Sequence, residues 1–312
     1  MGTGSLIHPA ALAGWSNGAM RTLVSLLLAS IPVAGADPVN VLVWDERQPR
    51  QEEAYDNFLG NEIAHYLRSQ DGLSVQSAGQ DDPQNGLASL DNQDVLIWWG
   101  HVRQGEVPDA VGQRIVERIR SGQLALVALH SAHWSVPFMQ AMYSRTKDDA
   151  KRRFPDPNTS IEFVPPPGRF PPTYDSIVTP AYYAFKRGGT VRQVRVDLPN
   201  CVFPGVDAHG KSSRVTVLTP DHPIMDGLPS QFDIPQSEMY DEPFHVPGPD
   251  VVLFREDWRG SGHFRGGMLW NLGLGKVFYF RPGHETFPVF KDPNVLKILE
   301  NAVRWLGTQT AE

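Results

Sequence analysis

The stretch Leu124-Ala-Leu-Val-Ala-Leu-His-Ser-Ala-His-Trp-Ser135 decides the fold. Its first six residues are apolar without alternation, as in a strand buried on both faces of a parallel sheet. The chain then turns through small and polar residues into a helical stretch around Pro137 to Tyr143. A buried strand, a tight turn and a helix are one half of a βαβ crossover.

Working outward, the same grammar recurs. Val39 to Trp44, Leu73 to Ala78 and Val95 to Trp99 read as strands, and about Ala54 to Ser69 and Asp109 to Ser121 as amphipathic helices. Downstream, Val215 to Leu218, Val251 to Phe254, Gly266 to Trp270 and Lys276 to Phe280 read as strands. Asp221 to Gly227 forms a turn with a short helix, and Asn294 to Leu306 a closing helix. The alternation predicts an α/β domain with a doubly wound, mostly parallel sheet. Between about Arg145 and Gly210 the chain is rich in proline and weak in periodicity. Tyr182, Tyr183 and Phe185 give that segment something to pack with, so it is expected to be an ordered insertion over the domain.

At 312 residues, with 41% hydrophobic and 20% charged, the chain can bury a large core. Its lone cysteine, Cys201, allows no internal disulfide. A net charge of −7 with no basic block excludes nucleic acid as a partner and leaves small neutral or polar ligands. The sequence is compatible with a homo-oligomer. Arg21, the apolar run Leu23 to Val33 and Ala34-Gly35-Ala36 make a secretory signal too short to span a bilayer. Met20 directly precedes it. Residues 1–36 are therefore expected to be an extension and signal peptide, with translation starting at Met20 and residues 37–312 forming one exported, periplasmic or secreted domain without a membrane span.

In an open parallel sheet, ligands bind beyond the carboxyl ends of the strands. Three predicted strands end in Trp98-Trp99-Gly100-His101, Leu129-His130-Ser131-Ala132-His133-Trp134 and Phe280-Arg281-Pro282-Gly283-His284-Glu285. Four of the ten histidines thus gather on one rim, with Trp44-Asp45-Glu46 ending the first strand beside them. Chance places one or two there, so four point to a site. His65, His209 and His263 lack such company and read as structural or surface. In Gln236 to Phe244, Glu238 and Glu242 stand at i and i+4, on one helical face or bracketing a turn. Imidazole with carboxylate is the ligand set of zinc, manganese or iron(II), which His101, His130, His284 and Glu238 could supply.

Val-Trp-Asp-Glu46, Val-Leu-Ile-Trp-Trp-Gly-His101, Leu-His-Ser-Ala-His133, Asp-His-Pro-Ile224, Glu-Met-Tyr-Asp-Glu242 and Phe-Tyr-Phe-Arg-Pro-Gly-His-Glu285 together resemble the ThuA-like (trehalose-utilisation) proteins. The resemblance covers about residues 39–143 and 214–307. It implies a flavodoxin-like, class I glutamine-amidotransferase-like fold, and a role in using trehalose and related disaccharides beside dehydrogenases that make 3-keto-glycosides. Amidotransferases present a nucleophilic cysteine at the strand-to-helix elbow. Here the elbow reads His130-Ser131-Ala132-His133, so glutamine hydrolysis is not implied. The expected activity is metal-assisted cleavage of a 3-keto-glycoside, by β-elimination or hydrolysis. Its cofactor would be a divalent zinc or manganese, held by His101, His130, Glu238 and His284, and no nucleotide. Glu242 and His133 would be base and acid, while Trp44, Glu46, Trp134, Arg281 and Glu285 would hold the sugar. The alternatives are a non-catalytic sugar-binding module and a serine hydrolase using Ser131 with His284 as base. Against the last, Gly-x-Ser-x-Gly is absent.

Overall fold

The computed structural model describes residues 37–309; the expected signal segment lies outside them. The parallel core is built from β1 (Val39–Asp45), β2 (Leu73–Gly79), β3 (Val95–Trp99), β4 (Ala125–Leu129) and β12 (Gly275–Phe280), in the order β2-β1-β3-β4-β12. β3 and β4 are buried at every residue, which explains their unbroken apolar sequence. Helices cover both faces. α1 (Leu59–Arg68) and α4 (Pro293–Gly307) pack into one apolar cluster with Val41, Ile97 and Phe278; α2 (Asp109–Arg120) and α3 (Val136–Arg153) pack into the other with Leu96, Leu126 and Tyr279. Two caps fix where these helices start. Ser135 accepts from the Phe138 amide ahead of α3, and Asp292 accepts from Asn294 and Val295 ahead of α4.

The sheet does not stop at the parallel strands. β8 (Gly205–Val217), β9 (Gln231–Asp241), β10 (Val251–Asp257) and β11 (His263–Leu272) extend it antiparallel in the order β12-β11-β10-β8-β9. The nine-stranded sheet is therefore mixed, with five parallel strands and four antiparallel ones, and not mostly parallel as the sequence suggested. Antiparallel neighbours need no helical crossover, and only a 3-10 turn at Pro223–Met225 separates β8 from β9, the one of the four that the sequence reading missed. Residues 236–244, expected as a helix or turn, are instead the end of β9 and the loop beyond it.

The segment expected as an ordered insertion contains regular elements of its own. α3 runs on to Arg153, steadied by Arg145, which pairs with Asp149 one turn on and reaches Asp250 through two contacts of 2.6 and 2.7 Å. β5 (Ser160–Val164), β6 (Ala181–Arg187) and β7 (Thr190–Asp197) then form a second sheet, packed on α3 through Val194, Val196 and Ala150. No helix among the described residues is long and apolar enough to cross a membrane.

Register places the rim. Asp45 pairs with Trp99, and Phe280 with Leu129, so β1, β3, β4 and β12 end level with one another. β9 lies five places from β4 in the sheet order, yet its Tyr240 stacks on His130. The antiparallel half therefore curls back over the carboxyl-end rim.

Candidate functional site

His130 is the first residue beyond β4 and takes φ = +47°, a left-handed conformation that costs a side-chain-bearing residue energy. The surroundings hold it there. Its ring lies between Trp99 (5.6 Å between centroids, 4° between planes) and Tyr240 (4.8 Å, 15°). Nδ1 donates to the Arg281 carbonyl at 2.9 Å, which leaves Nε2 facing Glu238 Oε2 at 2.8 Å and the Tyr240 hydroxyl at 3.1 Å. With Nδ1–H committed, the short Nε2–Oε2 contact requires one proton shared between imidazole and carboxylate. Gly283 makes room for this arrangement: a Cβ there would fall 2.8 Å from the His130 Cβ and 3.1 Å from Trp99.

Glu238 reaches the rim from β9. Burial works against its charge, but the imidazoles of His130, His284 and His101 outweigh it and hold the carboxyl below its usual range. His133, one helical turn after His130, donates Nδ1–H to the Cys201 carbonyl at 2.6 Å. Complete burial lowers it to about 3, so it is neutral with an accepting Nε2. His284 is turned the other way. Its Nδ1 accepts from the Thr286 amide and hydroxyl, both at 3.0 Å, placing the proton on Nε2; burial lowers it to about 4. His101 sits at the mouth with its side chain 40% exposed and 3.2 Å from Glu285. Burial opposes its charge, but Glu285, Glu238 and Glu46 together raise it above an ordinary imidazole. Glu285 is correspondingly held down at about 2, the His101 bond and charge outweighing its own burial.

His101, His133 and Glu238 open onto a cleft of about 350 Å³ whose wall also includes Gln104, Trp134 and Phe203. That size is ordinary for a small-molecule site. Trp134 Nε1 and Gln104 Oε1 have no hydrogen-bond partner among the described residues. A larger groove of about 540 Å³ between α2 and α3 holds none of the rim histidines.

Several expected roles change. Trp44 is 0% exposed, stacked on Trp98 at 3.7 Å with its indole N–H on the Asn85 carbonyl, so it cannot meet a sugar. Glu46, also fully buried, accepts the Val102 and Arg103 amides at 2.9 Å and shapes the loop. Arg281 is buried against Glu256, with further bonds to Ser237 Oγ at 3.0 Å and the Glu238 carbonyl at 2.7 Å. It positions both members of the His130–Glu238 pair and touches no ligand. Glu242 is clamped by Arg265 at 2.7 and 3.0 Å, which removes it as a base. Trp134, Glu285 and His133 do stand at the cleft or its edge.

His101, His130, Glu238 and His284 share the rim, with His101 Nδ1 on Glu285 at 3.2 Å and His284 Nδ1 accepting from the Thr286 amide. Among the described residues, no group of three or more His, Cys, Asp or Glu side chains is arranged to hold a metal. Ser131 does not fit a nucleophile, since its hydroxyl donates to the Gly100 carbonyl at 2.8 Å. Tyr240, Gln104 and Phe203 escaped sequence reading. Only Tyr240 carried a signal, standing between Glu238 and Glu242.

Comparison with known proteins gives a consistent picture. The family model ThuA, described as trehalose utilisation, matches residues 40–306. A protein from Parabacteroides merdae described as ThuA-like shares the fold at a TM-score of 0.55 and 14% identity, over 87% of this chain and 91% of that one. Another so described, from Bacteroides uniformis, gives 0.53 and 15%, over 88% and 94%. No curated protein matches the sequence.

Proposed function

Because the chain belongs to the ThuA (trehalose utilisation) family, we propose that its rim cleft cleaves 3-keto-glycosides by acid–base elimination. The observation that carries this reading is the pairing of His130 Nε2 with Glu238 at 2.8 Å in a cleft also lined by His101, whose proton affinity the neighbouring carboxylates raise. Two groups pushed apart in pKa within one cleft suit a base and an acid.

A ketone at C3 acidifies the C2 proton. Glu238 takes that proton, the C2–H electron pair forms the C1–C2 double bond, and the C1–O bond breaks. His101 protonates the departing oxygen. Water then adds, hydroxyl to C1 and a proton to C2, giving the free 3-keto sugar and an alcohol. Trp134 Nε1–H donates to the ketone oxygen, where charge develops. His133 Nε2 accepts from a sugar hydroxyl. His130 steers the base, and Arg281 steers both. The order β2-β1-β3-β4-β12 supports a flavodoxin-like reading of the parallel half, with His130 at the elbow where amidotransferases carry their nucleophile. The run Leu23 to Val33 supports export.

Replacing Glu238 by Gln, or His101 by Gln, should lower kcat/KM on methyl 3-keto-α-glucoside by about 10²–10⁴-fold with the melting temperature retained. Glu242→Gln should keep turnover within about threefold and instead lose on the order of 1–2 kcal/mol of stability, because the Arg265 clamp is only half-buried. Full activity in Glu238→Gln refutes the assignment. A wild-type protein that binds the sugar but never cleaves it is the binding module.

A further inference from the structure

A second cavity, of about 330 Å³, lies under the proline-rich segment, and Pro171 borders both it and the rim cleft. Its walls include Pro166, Pro171, Phe170, Arg195, Asp197 and His245. We propose that this cavity is a second sugar subsite, so that the substrate is a disaccharide or larger glycoside lying across Pro171. The proposal rests on the carbohydrate reading above and adds to it where the departing alcohol is held.

Three observations carry it. His245 is 1% exposed, and its Nδ1 faces the Thr179 amide and hydroxyl, both at 3.3 Å. That hydroxyl itself accepts from the Asn200 amide at 3.3 Å, so it donates to the ring, and the imidazole proton stands on Nε2. Nε2 has no partner among the described residues, and a buried donor wants an acceptor oxygen. Next, Arg195 Nε donates to Asp197 Oδ1 at 2.8 Å. The two charges cancel, and the planar groups keep donors and acceptors free. Such a pair suits neighbouring hydroxyls and disfavours a phosphate or carboxylate. Finally, the remaining wall combines apolar rings with the polar side chains of Ser176, Thr179 and Asn200. Proline rings line it, and Phe170 folds over Gly168, where a Cβ would collide with the phenyl ring. A pyranose offers what this wall takes, a C–H face beside an edge of hydroxyls.

Because Pro171 lines both cavities, the proposed ligand is a single chain of sugars passing over it. A lone ring in the rim cleft leaves the second cavity without contact. A disaccharide reaches both, and only its second ring meets His245 and Arg195.

Titration calorimetry of the mature protein with trehalose and with methyl α-glucopyranoside tests this. The wild type should bind trehalose about tenfold more tightly, as expected of one or two added hydrogen bonds. His245→Asn keeps an acceptor for Thr179 and removes the Nε2 donor; Arg195→Ala alters a half-exposed ion pair and should fold normally. Each should erase the preference for trehalose and leave methyl glucoside binding unchanged. Equal binding of the two sugars, with Arg195→Ala silent and Glu238→Gln still weakening both, overturns the second subsite and leaves the rim reading standing. Binding of neither sugar overturns the second subsite and leaves the rim reading to be decided by turnover of methyl 3-keto-α-glucoside.

Discussion

His284 and His101 are neighbours on one rim, yet their environments drive their protonation in opposite directions, and this has a measurable consequence. His284 is buried, its Nδ1 bound to the Thr286 amide, with a folded-state value of about 4 against an ordinary 6.5. A folded value below the unfolded one means the unfolded chain takes the proton first. The stability His284 contributes is therefore full above about pH 6.5 and is lost as pH falls toward 4. His101 has the opposite sign, since its raised value favours the folded state at low pH and that contribution fades as pH rises through it. Between pH 7 and 4.5 the loss from His284 should be roughly 2–3 kcal/mol. His284→Asn, whose side-chain oxygen can replace Nδ1 as the acceptor, should flatten the fall in melting temperature across that range; an unchanged slope would place the titration elsewhere. Sequence alone places His101, His130, Glu238 and Glu285 near one rim but does not give their hydrogen-bond partners. What decides those partners is a tautomer, and each tautomer is set by a backbone group: the Arg281 carbonyl for His130, the Cys201 carbonyl for His133 and the Thr286 amide for His284. A carbonyl looks the same whatever side chain it carries, so no residue pattern announces it.

The segment between α3 and β8 shows the same limit one level up. Buried strands and amphipathic helices of the parallel half were legible because each carries its own periodicity. β9 was not, since its alternation of Phe232 and Ile234 breaks at Pro235 and its far end is half-buried and polar. In sequence the proline-rich stretch reads as one insertion from 145 to 210, but its two ends belong to the core. Arg145 ties α3 to Asp250, the Cys201 carbonyl fixes His133, and Phe203 packs on Tyr240 at 4.1 Å. Deleting residues 145–210 should therefore yield aggregated protein. Deleting only 156–197, which removes the second sheet and spares those contacts, should leave a soluble chain with native-like circular dichroism that has lost its preference for disaccharides. Soluble, folded protein from the longer deletion would show those end contacts to be dispensable.

At the scale of the whole molecule, the parallel half supplies a level rim, and the antiparallel half curls over it to deliver Glu238 and Tyr240. The second sheet closes the outer wall. In the proposed mechanism these parts serve one chemical event, removal of a proton from carbon beside a ketone. Cleavage of methyl 3-keto-α-glucoside in deuterium oxide, followed by proton NMR at C2 of the released sugar, reports that event directly. Elimination and re-addition through Glu238 predict deuterium at C2 in the product formed by the wild type, with both cleavage and exchange lost in Glu238→Gln. A product that is released at full rate with its original C2 proton would contradict the account, because the glycosidic bond would then have broken without the base that the fold brings to the rim.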